Sequence, residues 1–214
     1  MRDSLPVIVL GAGGHAKVLV DILLRLSVNV IGLCDCDPGM EGHSIMDVPV
    51  IGNDDKVLEY SMDEIRLVNG LGSVGLTKNR RELYGFFKNK GYSFATIIHP
   101  SALIASEVDL SEGVQVFAGV IIQPGTVIGQ DTIINTGSSI DHDCIIGDHV
   151  FIAPGVTLSG EVEVGSNTHV GTGVNVIQGV RIGEDSLIAA GSLVIRDVPD
   201  AVKVMGVPAQ IIEE

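Results

Sequence analysis

The feature that most constrains this chain is a six-residue period that runs from Ile98 to Val194. Every sixth position in this range is Ile, Leu or Val, and the position four residues after each of these is Ala, Val, Thr, Ser or Cys. A period of six fits neither an α-helix nor a hairpin sheet, and hexapeptide repeats are typical of a parallel β-helix. We therefore predict one short strand and one corner per hexad, with three hexads in each triangular coil.

The repeat also predicts the size and the core of this prism. The aliphatic positions give between five and six coils, about 27 Å tall at the usual strand spacing. Each aliphatic side chain should point inward and stack on its counterpart one coil, or three hexads, away. Because the register does not break between Ile98 and Val194, we expect no long loop between coils.

The N-terminal segment has a different pattern, that of a nucleotide-binding unit. Residues 6–10 form a continuous apolar run typical of a buried parallel strand. A turn with Gly11, Gly13 and Gly14 follows, helical spacing covers 17–26, and a second apolar run at 29–33 leads to Asp35. In such units the amides at the helix start receive a phosphate, and the acid after the second strand bonds a ribose.

The remainder of this segment limits the ligand. Short strands are predicted at 49–51 and 65–69, and a helix at 77–90. Residues 1–96 therefore hold one small α/β Rossmann-like domain, without the second half that a nicotinamide dinucleotide needs. A second Gly-containing turn, 70–73, follows a strand at the same sheet edge, so we expect one mononucleotide-like ligand between the two turns. The all-β prism is assigned to residues 97–214.

Charge and composition exclude several partners. The formal net charge of −14 argues against a nucleic acid or an anionic membrane surface as the partner. No apolar stretch reaches the length of a membrane span, and the first residues lack a secretory signal, so we expect a cytoplasmic protein. Cys34, Cys36 and Cys144 cannot form a disulfide framework, and we predict no metal site.

Among the six histidines, His142 stands out because acids flank it. Ile140 and Cys144 take the inward positions of this hexad, which places His142 at an outward corner beside Asp141 and Asp143. A carboxylate bonded to one ring nitrogen fixes the tautomer and raises the basicity of the other, as a general base requires. A solvent-exposed histidine on an acidic coil fits the residues equally well, and either acid fits as the partner.

One coil later, eighteen residues after His142, the chain has Gly160. A glycine there leaves space beside the histidine and an accessible amide. This arrangement suits a thioester carbonyl held next to the base, with the amide facing the oxyanion that develops during acyl transfer.

Four features together resemble a known family: the Gly-x-Gly-Gly-His-Ala-Lys start, the small nucleotide domain, an Asn-Thr-x-x-x-x-x-His-Asp stretch and a Gly-Val-Pro-Ala tail. They are similar to nucleotide-sugar N-acetyltransferases and sialic-acid O-acetyltransferases, hexapeptide acyltransferases built on a left-handed β-helix. The resemblance alone implies the left hand, because most parallel crossovers are right-handed. Named members acetylate bacillosamine, perosamine and related 4-amino sugars in bacterial glycan synthesis.

The resemblance implies acetyl-CoA as the donor, a nucleotide-linked 4-amino-4,6-dideoxysugar as the acceptor, and a homotrimer with active sites between adjacent prisms. It implies His142 as the base and Asp143 as the residue that polarises it. The implied nucleotide-sugar residues are Gly13, Gly14, His15, Asp35, Gly72 and Asn135. Acetyl-CoA is implied to run along one edge of the prism past Gly160, Thr172 and Ala190.

One departure from the family pattern lies on the cofactor side. Many members carry a second histidine nine residues after the base, directed toward acetyl-CoA; here that position is Phe151, and His149 lies two residues earlier.

Alternative functions are sialic acid O-acetylation, a non-catalytic nucleotide-binding scaffold, and a zinc enzyme that uses His142, His149 and His169 between prisms. The residues leave the nucleotide open among UDP, GDP and dTDP.

Overall fold

The computed structural model describes residues 5–73, 75 and 78–212. The N-terminal part is the predicted α/β unit with a five-stranded sheet in the order β3-β4-β2-β1-β5. Strands β1, β2, β4 and β5 are parallel, and β3 pairs antiparallel with β4. The elements are β1 Val7–Leu10, α1 Gly14–Arg25, β2 Val30–Cys34, a 3₁₀ turn Pro38–Met40, β3 Ser44–Ile45, β4 Val48–Gly52, a 3₁₀ turn Asp54–Glu59, β5 Arg66–Asn69 and α2 Lys78–Asn89. Residue 77, at the start of the predicted second helix, lies outside the described residues.

The strand order brings both Gly-containing turns to one edge. β1 lies between β2 and β5. The chain continues from β1 to β2 on one side of β1, whereas β5, which carries the second Gly-containing turn, lies on the other side. A crevice opens at such a switch point, and ligands of parallel α/β sheets bind there. Helix α1 covers the sheet with one apolar face, which includes the buried Leu19, Ile22 and Leu23. The predicted nucleotide crevice therefore has the expected topological position.

The prism has three faces, each a ladder of two-residue parallel strands. The first face contains Ile97–Ile98, Gln115–Val116, Ile133–Ile134, Phe151–Ile152, His169–Val170 and Leu187–Ile188. The second contains Leu103–Ile104, Ile121–Ile122, Ser139–Ile140, Thr157–Leu158, Asn175–Val176 and Leu193–Val194. The third contains Asp109–Leu110, Val127–Ile128, Ile145–Ile146, Glu163–Val164 and Arg181–Ile182.

The pairing register matches the sequence period. Each strand pairs with the strand eighteen residues further on, as Ile140 does with Leu158. The fourteen aliphatic positions from Val116 to Val194 are at most 2% exposed. In the first coil burial is incomplete: Ile98 pairs with Val116 as expected but is 37% exposed, because no coil precedes it to cover its side chain.

Small polar residues fit the core because their hydroxyls are satisfied at the corners. Thr132 Oγ1 donates to the Gly147 carbonyl at 2.8 Å, and Ser138 Oγ donates to the Ala153 carbonyl at 2.9 Å. Both side chains are fully buried. A buried hydroxyl with a partner costs little, so Thr and Ser replace Val at these inward positions without disrupting the coils.

After the last coil the chain forms a hairpin, where the sequence predicted only a short tail. Lys203–Gly206 pairs in parallel with Leu187–Ile188 and antiparallel with Ala209–Ile212, and so extends the first face. Among the described residues, no helix is both long enough and apolar enough to cross a membrane.

The α/β unit packs directly against the prism. One hydrophobic cluster includes Ala16 and Leu19 of α1 together with Phe117 and Phe151 of the prism. Lys88 of α2 also pairs with Glu112 at 2.7 Å on the corner between the third and first faces. The apolar contacts place the crevice of the sheet beside the first face.

Candidate active site

His142 lies at the corner between the second and third faces and bonds to Asp143. The distance from His142 Nδ1 to Asp143 Oδ2 is 2.8 Å, whereas Asp141 Oδ1 accepts the backbone amide of His142 at 2.8 Å. The hydrogen bond to Asp143 raises the pKa of His142, and the charges of Asp141, Asp143 and Glu161 add to the rise. With Nδ1–H donating to Asp143, Nε2 carries the free lone pair. Of the two acids left open by the sequence, Asp143 is the ring's partner in this structure.

Two glycines on neighbouring coils make room for this pair. A Cβ built on Gly160 would lie 2.5 Å from both Nε2 and Cε1 of His142, so only glycine leaves space for the ring. On the preceding coil, a Cβ on Gly125 would collide with the Asp143 carboxylate, and its φ of +78° also favours glycine. The pair is therefore clamped between coils although the His142 side chain is 47% exposed.

Cys144, two residues from His142, is directed into the core as predicted. It is buried, its thiol donates to the Ser159 carbonyl at 3.3 Å, and burial raises its pKa to about 11. A thiol in this state is not a nucleophile near neutral pH. The chemistry of this corner is that of an exposed imidazole with an acidic partner.

A cleft of about 490 Å³ opens between the sheet edge and the prism. It contains five residues that the sequence singled out, from both Gly-containing turns and from the corner between the first and second faces: Gly13, Gly14, His15, Gly72 and Asn135. Gly13 precedes α1 without a side-chain cap. The first-turn amides of α1 are therefore left to a ligand, and an anion is favoured there.

His15 lies half-buried at the base of this cleft in its neutral form. Burial, together with the nearby charge of Arg80, lowers the pKa of His15 to about 4. Gln115 Nε2 donates to the Asn69 carbonyl at 2.7 Å, which turns Gln115 Oε1 toward His15 Nε2 at 2.9 Å. We therefore assign the proton to His15 Nε2, and Nδ1, on the Gly72 side, is left as an acceptor.

Asp35 lies outside this cleft. Its carboxylate accepts the Ala12 amide at 2.6 Å and the Asp37 amide at 2.9 Å, so it holds the first turn. It lines a separate cleft of about 450 Å³ with Asn53 and Lys56 at the ends of β2 and β4. The structure thus places Asp35 beside the first turn but not with the other five nucleotide-sugar residues.

The expectation that Gly160, Thr172 and Ala190 lie along one edge of the prism is wrong within one chain. Thr172 and Ala190 are eighteen residues apart and lie on the corner between the first and second faces, where the Gly191 amide bonds the Thr172 carbonyl at 2.8 Å. Gly160 precedes Thr172 by two hexads, or two thirds of a coil, and lies on the next corner with His142. Only separations of a whole coil keep residues on one edge.

Phe151 and His169 form a stacked pair on the first face. Their ring centroids are 4.9 Å apart and their planes differ by 2°. Burial lowers the pKa of His169, and its Nδ1 lies 3.4 Å from Ser73 Oγ.

His149 faces away from the cleft and bonds Asp131 Oδ2 at 3.0 Å. In the described part of the chain, no three His, Cys, Asp or Glu side chains are grouped so that they could hold a metal ion.

Sequence reasoning missed several residues that build the cleft and the corner. Phe117 and Thr136 also line the cleft, and Gly125 accommodates Asp143. Phe151, which the sequence marked as a departure on the cofactor side, lines the cleft as well. The coil period gives Gly125, since it lies eighteen residues before Asp143, and it gives Phe117, eighteen residues before Asn135. No sequence signal identifies Gln115, because its partners Asn69 and His15 belong to the other domain.

Comparison with known proteins agrees with this architecture. Residues 6–85 match the family model of the PglD N-terminal domain, and residues 125–160 match that of the bacterial transferase hexapeptide (six repeats). Structures of perosamine N-acetyltransferase from Caulobacter crescentus, in complex with CoA and GDP-perosamine, share 38% identity with this chain, with a TM-score of 0.91 and coverage of 99% of this chain and 100% of theirs. The chain belongs to the nucleotide-sugar N-acetyltransferase family.

Further structures extend this family assignment. The acetyltransferase domain of PglB from Neisseria gonorrhoeae is 29% identical, with a TM-score of 0.89 over 98% of this chain and 100% of that one. WeeI from Acinetobacter baumannii, at 23% identity and a TM-score of 0.87, has the same fold. The predicted fold of this family member, a small α/β domain followed by a left-handed parallel β-helix, is confirmed by this agreement over the whole chain.

Proposed function

We propose that the protein transfers an acetyl group from acetyl-CoA to the 4-amino group of a nucleotide-linked 4-amino-4,6-dideoxysugar. The observation that carries this proposal is the His142–Asp143 pair, 2.8 Å apart, with Nε2 of the histidine against Gly160. The family assignment supports it, since the perosamine N-acetyltransferase structures contain CoA and GDP-perosamine. Residues 1–96 would hold the nucleotide sugar and residues 97–214 would carry the transfer.

In this mechanism His142 is the general base. The amine attacks the thioester carbonyl, a C–N bond forms, and Nε2 takes the proton that the nitrogen loses. The C–S bond then breaks, and the protonated imidazole returns the proton to the leaving thiolate. Asp143 holds Nδ1–H and raises the pKa of His142, which favours proton uptake. The backbone of Gly160 beside Nε2 is the candidate donor to the oxyanion.

The nucleotide sugar is assigned to the cleft between the two domains. Phosphate oxygens would accept from the first-turn amides of α1, next to Gly13 and Gly14. His15 Nδ1 would accept a hydrogen bond, and Gly72 and Asn135 also line this cleft. Asp35, in the adjoining cleft, would bond the ribose.

The separation of these parts supports a homotrimer. In one chain the cleft adjoins the corner between the first and second faces. His142 occupies the next corner, so the second face, with its strand Ser139–Ile140, lies between the two. In a cyclic trimer the His142 corner of one protomer meets the cleft of its neighbour. Acetyl-CoA in this seam would contact Gly160 of one chain and Thr172 and Ala190 of the other.

The direct test is a screen of UDP-, GDP- and dTDP-linked 4-amino sugars with acetyl-CoA, read by thiol release. We expect turnover with one nucleotide class, and mass spectrometry of the product should place the acetyl group on nitrogen. Turnover of a free sialic acid instead would identify an O-acetyltransferase. If none of these acceptors supports thiol release, the proposal is contradicted and a scaffold is favoured. Metal analysis of the purified protein would test the zinc alternative.

A complementation experiment tests the site between chains. His142→Ala removes the base, and Gly13→Trp fills the cleft, where a Cβ at Gly13 has no atom within 4 Å. If each site combines the cleft of one chain with the base of its neighbour, each mixed trimer has one working site in three, and an equal co-expressed mixture regains about one quarter of wild-type activity overall. If both halves come from one chain, the mixture stays inactive.

The cellular role we infer is the synthesis of a bacterial surface glycan in the cytoplasm, where acetyl-CoA and nucleotide sugars are found. The net charge of −14 disfavours nucleic acids and anionic lipid surfaces as partners. The substrates would therefore be soluble small molecules. Light scattering should give a mass three times that of the 22.4 kDa chain, and a monomer would contradict the shared site.

A further inference from the structure

A buried polar network joins the second Gly-containing turn to the prism, and Arg80 is its centre. The Arg80 side chain, on α2, is 1% exposed. Its Nη1 donates to the carbonyls of Leu71 at 2.7 Å and Asn69 at 3.0 Å, and its Nη2 donates to Asp131 Oδ1 at 2.7 Å. One guanidinium thus holds the turn after β5 and a prism corner together.

Asn69 and Asp131 complete this network. Asn69 Nδ2 donates to Asp131 Oδ1 at 3.1 Å, while Asn69 Oδ1 accepts the Leu71 amide at 3.3 Å. The Asp131 side chain is fully buried, and its other oxygen lies 3.0 Å from His149 Nδ1. Leu71 is therefore held at its amide by Asn69 and at its carbonyl by Arg80.

The network also reaches the first turn of the cleft. The Asn69 carbonyl accepts from Gln115 Nε2 at 2.7 Å, and Gln115 Oε1 contacts His15 Nε2 at 2.9 Å. The first turn is thereby tied to Gln115 on the first face. The second turn is tied to Gln115 and, through Arg80, to Asp131 on the corner that precedes this face. The distance between the two turns depends on these hydrogen bonds.

The bond from Arg80 to the Leu71 carbonyl has a directional consequence. In a trans peptide the C=O and the following N–H point in opposite directions. Because the Leu71 carbonyl is held toward Arg80, the amide of Gly72 must point away from Arg80, and Gly72 itself lines the cleft. An amide held in this way donates to a phosphate or hydroxyl oxygen without first having to reorient.

A buried ion pair seldom stabilises a fold more than apolar side chains of similar size would. Its directional bonds, in contrast, specify one arrangement of the groups around it. We propose that Arg80 is a positioning residue for the nucleotide sugar, which fixes peptide 71–72 so that the Gly72 amide is presented to an anionic or hydroxyl oxygen of the ligand. This inference rests on the proposed function for the identity of the ligand.

The test compares two matched double variants. Arg80→Met with Asp131→Asn removes both charges, and Asn suits the left-handed φ of +54° at residue 131. Lys88→Met with Glu112→Gln is the control, because this pair also joins α2 to the same prism corner but does not contact the turn. We expect the first variant to raise the KM for the nucleotide sugar by ~10- to 100-fold and to leave the KM for acetyl-CoA within about twofold. The control should change neither.

An unchanged KM for the nucleotide sugar, or an equal rise in both KM values, would overturn the proposal. If the first variant fails to assemble, Arg80→Lys replaces it, since Lys keeps the charge but lacks the fork that binds four acceptor atoms. Hydrogen exchange at Leu71 and Gly72 in the ligand-free protein gives a readout independent of activity. Should the wild type acetylate no amino sugar, faster exchange than in the control variant would still support the positioning role, and equal exchange would contradict it.

Discussion

The imidazole of His142 occupies the space that a side chain at Gly160 would fill. A Cβ at residue 160 would lie 2.5 Å from both Nε2 and Cε1 of the ring. The two residues occupy equivalent positions on consecutive coils, so the coil period itself brings them together. The basic nitrogen of the proposed site is therefore held beside a backbone that has no side chain to shield it.

Gly160→Ala should displace the histidine without unfolding the prism. The new methyl group must move the ring, and a shift of about 1 Å in a catalytic group costs up to ~100-fold in rate. We expect kcat to fall at least ~10-fold with an unchanged mass of the assembled protein in light scattering. Gly85→Ala, in α2 where a Cβ meets nothing within 4 Å, is the control and should keep full activity. Full activity of the Gly160→Ala variant would show that the imidazole of His142 takes no part in the reaction.

Asp143→Asn should shift the pH dependence of the reaction. The hydrogen bond from Asp143 is the largest cause of the raised pKa of His142, so the base is free only above that raised value. Without this carboxylate the acidic limb of the kcat/KM profile should move to lower pH, while the rate on the plateau falls by ~10- to 100-fold.

Asp141→Asn is the matched control for this prediction. Asp141 bonds the backbone amide of His142 rather than its ring, and it raises the pKa of His142 through charge alone. We expect a smaller shift in the same direction and a nearly unchanged plateau. A larger shift for Asp141→Asn than for Asp143→Asn would reverse the assignment of the partner.

His15 should make the fold sensitive to acid. Its pKa is lowered to about 4 in the folded protein, from a usual value of 6.5, so the unfolded chain binds the proton more readily. Stability should therefore be complete above pH ~6.5 and decrease as the pH falls toward 4, by on the order of 3 kcal/mol. Urea unfolding of His15→Gln, which keeps a donor to Gln115, should have a shallower pH slope over this window. His43→Gln, at an exposed site, is the control, and an equal slope in the wild type and His15→Gln would contradict the prediction.

Cys144→Ala should preserve catalysis. The thiol is buried and its pKa is raised to about 11, so a covalent acyl-cysteine is not expected. We predict a kcat within about twofold of wild type and a loss of ~1–2 kcal/mol in the free energy of unfolding, from the cavity and the lost bond to Ser159. Loss of turnover in a variant that remains folded and assembled like the wild type would instead assign the nucleophile to this cysteine.

Much of the site could be predicted from the sequence because the prism is periodic. The period placed His142 at an outward corner, Cys144 in the core and Gly160 on the next coil. A separation of twelve residues is only two thirds of a coil, so the prediction that Gly160 shares an edge with Thr172 was wrong. Residues on one edge are separated by eighteen residues or a multiple of eighteen.

The sequence by itself determined the prism, its register and the α/β unit before it, because inward aliphatic residues and Gly-rich turns depend on local geometry. Tertiary structure alone decided that Asp143 bonds the ring, since rotation around a corner is set by the space that Gly125 and Gly160 leave on neighbouring coils. It alone also decided the network from His15 through Asn69 to Arg80. Those residues are far apart in the chain, and their buried polar groups find partners only when the two domains pack together.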